Sequence, residues 1–293
     1  MNMKTIALLH PGNMGVTIGA AAATSGAQVV WASNGRSSAT RKRANNAGLI
    51  DVGNVADAVR QSEVVLSVCP PHAAVDVANE VAAMNFRGVY VDANAVSRAM
   101  AEEIGSIVTK SGASFVDGGI IGSPVKQAGT TRLYLSGDRA EEIARLFAAS
   151  MLDARAIGKE PGAASALKMA YAAWTKCTDV LVLTIRAFAA HEGVDEALLE
   201  EWRISQAALE KKCERAAAVA VPKAWRYVGE MREIAEAFEA AGLPSGFHNA
   251  AAEICERLAG FKDQTDPAPT VSPVLDALRG SSSDHEAEAA DVG

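Results

Sequence analysis

Short apolar runs alternate with longer segments of helical periodicity along the first 160 residues of the chain. Apolar runs of this kind occupy residues 5–9, 28–32, 63–69, 88–94 and 132–136. Strands that are apolar on both faces and separated by helices are typical of a largely parallel sheet covered on both sides. The pattern therefore predicts a doubly wound α/β fold of the Rossmann type over residues 1–160.

The periodicity changes after Gly158, and no further segment reads convincingly as a strand. Helical periodicity continues unbroken over residues 163–191, roughly 43 Å at the rise of an α-helix. Further helices are predicted over residues 195–220, 222–241 and 245–260. We therefore predict an all-α domain over residues 161–262, built on a long central helix.

The end of the chain differs in composition from the rest. From Thr265 onward Pro, Ser, Ala and acidic residues dominate. Such a composition buries too little apolar surface to offset the entropy of ordering, so residues 263–293 are predicted to be a disordered tail. Within it, residues 271–278 could form a short docking turn.

The first predicted strand runs directly into a turn that contains glycine, and an alanine-rich helix follows. In the turn, His10 stands where the fingerprint G-x-G-x-x-G has its first glycine. Strand, glycine turn and helix in this order open a dinucleotide-binding unit, because backbone N–H groups at the helix N-terminus attract a pyrophosphate. An ordinary strand-to-helix turn is the alternative. The predicted cofactor contacts in this turn are Gly12, Asn13, Met14 and Gly15.

The end of the second predicted strand lacks the acidic residue that an NAD site uses to hold the ribose diol. No Asp or Glu occurs before Asp51, whereas Arg36 and Ser37 follow the strand closely. A guanidinium binds phosphate with paired hydrogen bonds, which favours NADP(H) over NAD(H). A solvated basic helix start is the alternative. The predicted contacts here are Asn34, Arg36 and Ser37, and at later strand ends they are Cys69, Pro70 and Asn94.

Charge and cysteine content narrow the class of partner. The net charge of −7 argues against nucleic-acid binding, which needs a basic face. The four cysteines are widely spaced and show no metal-ligand spacing, so we expect reduced thiols in a cytoplasmic protein and no metal. The most apolar stretch, residues 180–185, is flanked by charged residues, which predicts a buried helix and no membrane span.

Three segments resemble the β-hydroxyacid dehydrogenase superfamily, which includes 6-phosphogluconate and 3-hydroxyisobutyrate dehydrogenases and is related to imine reductases. Residues 6–15 with 34–37 are similar to the cofactor segment of that family. Residues 115–124 resemble its substrate loop, and residues 162–168 its segment with the catalytic lysine. The C-terminal half, through residues 225–231 among others, resembles the branch whose helical domain has no known function.

The resemblance implies that Lys168 is the general acid/base at the carbonyl or hydroxyl. Lys168, Tyr171 and Thr175 share one helical face, although a snorkelling surface lysine is the alternative. The family's asparagine is replaced by Ala172, and the loop hydroxyl is shifted to Ser123. Both departures favour a different carbonyl, a bulkier acid or an imine. The predicted catalytic residues are Lys168, Tyr171 and Ser123, and the predicted substrate contacts are Gly119, Gly122, Ser123, Trp174, Thr175 and His248.

Four other residues receive weaker expectations. Cys69 is expected to be packed rather than reactive. Asp117 is expected to organise its loop rather than perform catalysis. A buried structural role is at least as plausible for His248 as a place in the cleft. Glu230 stands near the position of a functional lysine in relatives and is assigned no role.

These features together predict an NADP(H)-dependent oxidoreductase acting on a small hydroxy or keto substrate. The family resemblance also implies a homodimer formed through the helical domain. An imine reductase is a second hypothesis. A non-catalytic NADP-binding sensor or interaction protein is a third, which would explain His10 and Ala172, although the retained Lys168 argues against it.

Overall fold

The computed structural model describes residues 3–280, which form two compact units. The first unit ends at Tyr171 and the second begins at Ala172, so the division falls inside the long helix. The sequence placed this boundary at residue 160. The difference arises because the first turns of the helix are bonded to the sheet, as described below.

Eight strands form one sheet in the first unit, in the order β3-β2-β1-β4-β5-β6-β7-β8. Neighbouring strands are parallel except for β6 and β7, which are antiparallel. The strands are β1 (Thr5–Leu9), β2 (Gln28–Trp31), β3 (Ile50–Asp51), β4 (Val64–Ser67), β5 (Val89–Asp92), β6 (Ser114–Gly122), β7 (Thr131–Ser136) and β8 (Asp153–Gly158).

Helices cover both faces of this sheet, which confirms the doubly wound fold. They are α1 (Gly15–Thr24), α2 (Ser38–Asn46), α3 (Val55–Arg60), α4 (Ala74–Ala83), α5 (Arg98–Lys110) and α6 (Ala140–Arg145). Alternate side chains of β1 enter opposite cores. Leu8 packs in a cluster with Ile18 of α1, and Leu9 in a second cluster with Val77 of α4. Residues 6–9 of β1 are thus buried on one side of the sheet or the other, as its continuous apolar run indicates.

Helices alone make up the second unit, as the loss of strand patterns predicts. The long helix α7 has the bounds Ala163–His191, the same residues as the predicted helix. The others are α8 (Asp195–Ser205), α9 (Leu209–Arg215), α10 (Ala224–Ala240), α11 (Gly246–Arg257) and α12 (Val271–Arg279), with a π-helical segment at Ala216–Ala220 and 3₁₀ turns at Val221–Lys223 and Ala259–Phe261. Within residues 3–280, no helix is both long and apolar enough to cross a membrane.

Two predictions for this unit are wrong in detail. The single helix expected over residues 195–220 is interrupted, because Gln206 leaves the helical conformation with φ −144° and ψ 51°. The disorder expected from residue 263 does not apply to α12, whose Val274 and Leu278 are buried. Arg257 also donates a hydrogen bond to the Leu278 carbonyl at 3.2 Å. The alternative of a short docking turn at residues 271–278 agrees better with this helix. Residues 281–293, the rest of the predicted tail, lie outside the described residues.

Candidate cofactor and catalytic site

The carboxyl ends of four parallel strands lie along one edge of the sheet in the first unit. The strand order reverses at β1, which lies between β2 and β4, and ligands of open α/β sheets bind beside such a reversal. Gly12 follows β1, Arg36 follows β2, Cys69 follows β4 and Asn94 follows β5. Four segments that are distant in sequence are therefore brought to one edge.

The turn between β1 and α1 has the form that a pyrophosphate needs. A Cβ at Gly15 would lie 2.3 Å from the His10 carbonyl oxygen, so this position requires glycine. A Cβ at Gly12 would meet nothing within 4 Å, which leaves open space in front of the turn. No side chain caps α1, and its first turn carries no acidic residue. An uncapped helix start without acidic residues favours an anion, while the N–H groups of Val16 and Thr17 already donate to the Gly12 and Met14 carbonyls at 3.0 Å.

His10 leaves this turn intact despite replacing a glycine. Its backbone N–H donates to the Val68 carbonyl at 3.3 Å, and its own carbonyl accepts from Gly12 N–H at 2.8 Å. Burial and, to a smaller extent, the charge of Arg36 together lower the pKa of His10 to about 4. The imidazole is therefore neutral at neutral pH and adds no charge beside Arg36.

Basic side chains gather after β2. The Nε atoms of Arg36 and Arg43 are buried and have no hydrogen-bond partner among the described residues. Ser37 begins α2, and its hydroxyl accepts a hydrogen bond from Thr40 N–H at 3.3 Å. The first turn of α2 has no acidic residue. Buried guanidinium N–H groups without acceptors, next to a helix N-terminus, fit a phosphate group.

A carboxylate also reaches this corner, which the sequence did not reveal. Asp51 ends β3 and is the register partner of Trp31 in β2. Burial acts to raise the pKa of Asp51, but hydrogen bonds from Gly53 N–H and Ser33, together with the charge of Arg41, leave the pKa below its ordinary value. An acidic side chain thus lies near the end of β2, contributed by the neighbouring strand. The signal that could have found it is the pairing of β2 with β3.

Asn94 is buried, and its side chain acts within the protein. Its Oδ1 accepts from the backbone N–H of Cys69 at 2.6 Å, while its Nδ2 donates to Asp92 at 2.5 Å and to Ser67 at 3.1 Å. Asn94 therefore holds the chain that follows β4, and a direct contact with the cofactor stays a prediction. Burial raises the pKa of Cys69 to about 11, so its thiol remains protonated, in agreement with a packed cysteine.

Asp117 anchors the first turn of α7 to the sheet. Its carboxylate accepts hydrogen bonds from Ser165 N–H at 2.9 Å, Ser165 Oγ at 2.5 Å and Ser136 Oγ at 3.0 Å. Ser136 Oγ also accepts from Ala164 N–H at 3.1 Å. A negative charge at a helix N-terminus is favourable for the helix dipole. Ser136 and Ser165 were missed, because nothing local in the sequence links them to Asp117.

Lys168 lies directly beside Gly119 of β6. A Cβ at Gly119 would be 2.6 Å from the Ala164 carbonyl oxygen and 3.1 Å from the Cβ of Lys168. The absence of a side chain at Gly119 thus lets α7 approach the strand. Lys168 is half-buried. The structure therefore brings together two predicted site residues and holds them with the Asp117 anchor.

The loop between β6 and β7 is fixed at both ends. Val125 N–H donates to Thr17 Oγ1 of α1 at 3.2 Å, and Thr131 Oγ1 donates to the Ser123 carbonyl at 2.5 Å. Gly122 has φ +122°, which suits glycine, and Ser123 is exposed. The segment predicted as the substrate loop, residues 115–124, is thus mostly strand β6. The connection that follows it is attached to the helix of the predicted pyrophosphate turn, and Ser123 is exposed.

The remaining predicted residues lie farther along α7 and in the second unit. Tyr171 and Trp174 are exposed, and Thr175 is half-buried. His248 is buried, with Nδ1 3.3 Å from Cys177 Sγ and its ring 4.2 Å from that of Phe238. This environment matches the structural alternative for His248, which packs in the helical core rather than lining an open cleft.

Glu230, which was assigned no role, takes part in an ion pair of the second unit. It pairs with Lys176, and both side chains are largely buried. The Nζ of Lys176 also lies 4.3 Å from the centroid of the Tyr227 ring. Glu230 therefore joins α10 to α7.

Models of two protein families match separate parts of the chain. Residues 5–95 match the family described as NADP oxidoreductase, coenzyme F420-dependent. Residues 189–258 match a domain of unknown function, DUF1932. The first match covers β1 to β5 with the cofactor turn, and the second lies in the helical unit.

Known proteins with related sequences and folds support the same grouping. An uncharacterized 28.5 kDa protein of Methanothermus fervidus is 30% identical over 166 residues, which are 57% of this chain and 63% of the relative. The match thus spans less than two thirds of that protein. A solved conserved protein of unknown function, described as similar to 3-hydroxyacid dehydrogenases, has 26% identity and a TM-score of 0.69 over 88% of this chain and 97% of its own.

Two further solved proteins share the fold at lower identity. The 3-hydroxyisobutyrate dehydrogenase of Mycobacterium tuberculosis with L-serine has 19% identity and a TM-score of 0.70, covering 95% of this chain and all of its own. An imine reductase from a Pseudomonas species has 17% identity and a TM-score of 0.52, with 94% and 100% covered. The fold is that of pyridine-nucleotide oxidoreductases. In its eight-stranded sheet and helical second unit the chain is similar in fold to the 3-hydroxyacid dehydrogenases, and residues 189–258 match the domain of unknown function.

Proposed function

We propose that the protein is an NADP(H)-dependent oxidoreductase that transfers hydride between the nicotinamide and a small hydroxy or keto compound. The observation that carries this proposal is the placement of Lys168. It is held against Gly119 by the anchored first turn of α7, in the same unit as the cofactor turn. A proton-transfer group and a dinucleotide turn in one unit are the two parts that such a reaction requires.

The residues at the sheet edge fit the phosphates of NADP(H). The backbone of residues 12–15, at the uncapped start of α1, would hold the pyrophosphate. Arg36 and Ser37, next to the buried Nε of Arg43, would hold the 2′-phosphate. Asp51 is close enough to interact with Ser33 and could serve a ribose hydroxyl. When bound, the cofactor supplies or accepts the hydride at nicotinamide C4.

Lys168 moves the proton that accompanies the hydride. In the reductive direction its ammonium group donates a proton to the carbonyl oxygen as that carbon receives the hydride. In the oxidative direction the neutral amine takes the hydroxyl proton. Ser123 and the Gly122 N–H would bind a substrate carboxylate, and Tyr171 stands one turn after Lys168 on α7.

Two positions bear on the class of substrate. Ala172 offers no hydrogen bond where the resemblance implies asparagine, and Ser123 is exposed on its loop. Both departures from the family resemblance suit a substrate other than a short 3-hydroxyacid. An imine, whose nitrogen also takes a proton during reduction, is the second candidate.

The reaction class can be tested by NADPH oxidation with keto acids, ketones and cyclic imines as separate groups. Turnover of a keto acid or ketone supports the proposal. Turnover of imines alone would replace it with the imine reductase. Tight NADPH binding without turnover of any group would favour the non-catalytic alternative.

An exposed apolar stripe on the second unit's part of α7 supports a homodimer. Trp174, Leu181, Ile185 and Phe188 are all exposed, and Phe188 is 65% exposed. Their spacing of seven, four and three residues places them along one face of the helix. A second copy would cover this stripe. We expect sedimentation to show a dimer for the unaltered chain and a monomer for Phe188→Glu, whereas an unchanged dimer in the variant would exclude this face.

A further inference from the structure

A row of buried polar side chains runs from the ends of β4 and β5 to the middle of β6 in the first unit. Asp92 of β5 is the register partner of Ser67 in β4 and of Asp117 in β6. Ser67, Asp92 and Asp117 are fully buried, and Asn94 is nearly so. Asp92 therefore lies between the segment that carries Cys69 and the strand that anchors α7.

Asp92 determines which way the amide of Asn94 points. The amide places Oδ1 toward the N–H of Cys69 and Nδ2 toward a carboxylate oxygen of Asp92. The reversed amide would set its NH₂ against the Cys69 N–H and its oxygen against the carboxylate. Both contacts would then be repulsive, because each would join two donors or two acceptors. An acceptor at Asp92 is thus what keeps Asn94 bonded to Cys69.

This inference rests on the proposed function. We propose that Asp92 is a positioning residue for cofactor binding, which orients Asn94 so that it holds the Cys69 backbone at the strand end. This hold weakens when Asp92 gains a proton. Cys69 and Pro70 are predicted cofactor contacts, so the affinity for NADPH follows the ionisation of a carboxyl group that the cofactor does not touch.

Burial is the main reason why Asp92 ionises in the neutral range. Burial and the charge of Asp117 raise the pKa of Asp92, hydrogen bonds from Asn94 lower it, and the result is a pKa of about 7. Tyr90 and Cys69 also interact with Asp92, but burial raises the pKa of both, so both stay neutral there. His10 stays neutral as well, since its pKa is about 4.

The sign of the effect follows from the hydrogen bond. Above pH 7 the ionised carboxylate accepts from the Asn94 amide in a charge-assisted bond, which is stronger than a neutral one. Below pH 7 the protonated group is a weaker acceptor and offers a donor of its own. NADPH should therefore bind more tightly above pH 7 than below it.

The test is the dissociation constant of NADPH, measured by fluorescence on the full chain from pH 5.5 to 8.5. We expect a loss of affinity of about fivefold as the pH of the unaltered protein falls through 7, the size of one hydrogen bond. Asp92→Asn replaces one carboxylate oxygen by NH₂, so one of the two hydrogen bonds from Asn94 is lost whichever way the new amide turns. This variant should bind about fivefold more weakly at pH 8, without a midpoint near 7. The exposed Asp138→Asn is the matched control and should follow the unaltered protein.

A double-mutant cycle separates positioning from general damage. If Asp92 acts through Asn94, Asn94→Ala should also lack the midpoint near 7, and Asp92→Asn with Asn94→Ala should bind no more weakly than either single variant. Circular dichroism checks that each variant is folded, and the Asn94→Ala profile tests the inference even where Asp92→Asn does not fold. The 2′-phosphate of NADPH gains a proton near pH 6, but that effect is common to all variants.

Two results would overturn the inference. One is a midpoint near 7 that persists in Asp92→Asn, and the other is full additivity of the two substitutions. Absence of NADPH binding by the unaltered protein at every pH is a different outcome, because it contradicts the proposed function itself and this inference with it.

Discussion

The two units treat their buried polar groups in different ways. In the first unit, hydrogen bonds of Asp92, Asn94 and Asp117 connect neighbouring strand segments and the start of α7. The buried Nε of Arg36 has no acceptor among the described residues. In the second unit, several buried polar side chains form pairs between helices. Such pairs are Lys176 with Glu230, Arg186 with Asp195, and Cys177 with His248.

This difference indicates which unit has polar groups suited to a ligand and which has polar groups that stabilise helix packing. Donors left open at a helix N-terminus or on a buried guanidinium gain most when an anion arrives. Ion pairs and thiol contacts that already satisfy each other gain little from a ligand. The proposed function therefore assigns the cofactor chemistry to the first unit, and the first turns of α7 belong to that unit because Asp117 binds them there. The following predictions test this division, from the largest expected effect to the smallest.

Replacement of Lys168 should abolish most of the reaction. We expect Lys168→Ala to lower turnover by about 100-fold to 10,000-fold, the usual contribution of a general acid/base, with NADPH affinity unchanged. Steady-state turnover and an NADPH titration measure the two quantities. Lys110→Ala, at the exposed end of α5, is the control. Full activity of Lys168→Ala would remove the lysine from the mechanism.

One added carbon should have opposite effects on two glycines in the two units. In Gly119→Ala the new Cβ would meet the Ala164 carbonyl, so we expect the free energy of unfolding to fall by about 3 kcal/mol. In Gly229→Ala, inside α10, the Cβ meets nothing within 4 Å and the helix gains about 0.5–1 kcal/mol. Denaturant unfolding measures both. Equal stability of the two variants would contradict the close approach of α7 to β6.

Loss of one partner in the ion pair of the second unit should change stability and leave cofactor binding alone. Glu230→Gln leaves a largely buried Lys176 without its carboxylate, which should cost about 2 kcal/mol. Glu236→Gln, an exposed position of the same helix, should have no effect on unfolding. Weaker NADPH binding in Glu230→Gln at unchanged stability would contradict the assignment of cofactor binding to the first unit.

Acidification should weaken the second unit through His248. Burial lowers the pKa of His248 below its ordinary value, so the folded state disfavours the protonated ring. The stability that this gives is present above pH 6.5 and is lost as the pH falls below it. Between pH 7.5 and 5.0, the thermal unfolding temperature should fall less in His248→Gln than in the unaltered protein. The stability involved should be smaller than that lost in Glu230→Gln. An equal decrease in both proteins would exclude His248 as the cause.

The sequence predicted those parts of the fold whose pattern is long or strongly apolar. The unbroken periodicity of α7 defined both of its ends, and the apolar run of β1 defined that strand. Strands β3 and β8 were missed because their residues are mostly exposed, so they form no apolar run. Only pairing with a neighbouring strand defines them.

Local motifs predicted the site residues that act through their own turn. The strand and the helix on either side of the turn predict Gly12 and Gly15. The number of residues between that turn and the end of the second strand predicts Arg36. Asp51, Ser136 and Ser165 could not be found this way, because sheet pairing brings them to their partners from other strands and helices. Asn94 was predicted at the correct strand end, but only the structure shows that its side chain turns inward to Cys69.

The proposed specificity for NADP(H) depends most directly on the phosphate site after β2. Titration of the unaltered protein and of Arg36→Ala with NADPH and with NADH, at one pH and salt concentration, tests it in a single experiment. We expect NADPH to bind at least tenfold more tightly than NADH to the unaltered protein, and Arg36→Ala to weaken NADPH binding by about tenfold with little effect on NADH, the scale of a charged hydrogen bond. Equal or tighter binding of NADH by the unaltered protein would contradict the claim that the corner formed by Arg36 and Ser37 holds a 2′-phosphate.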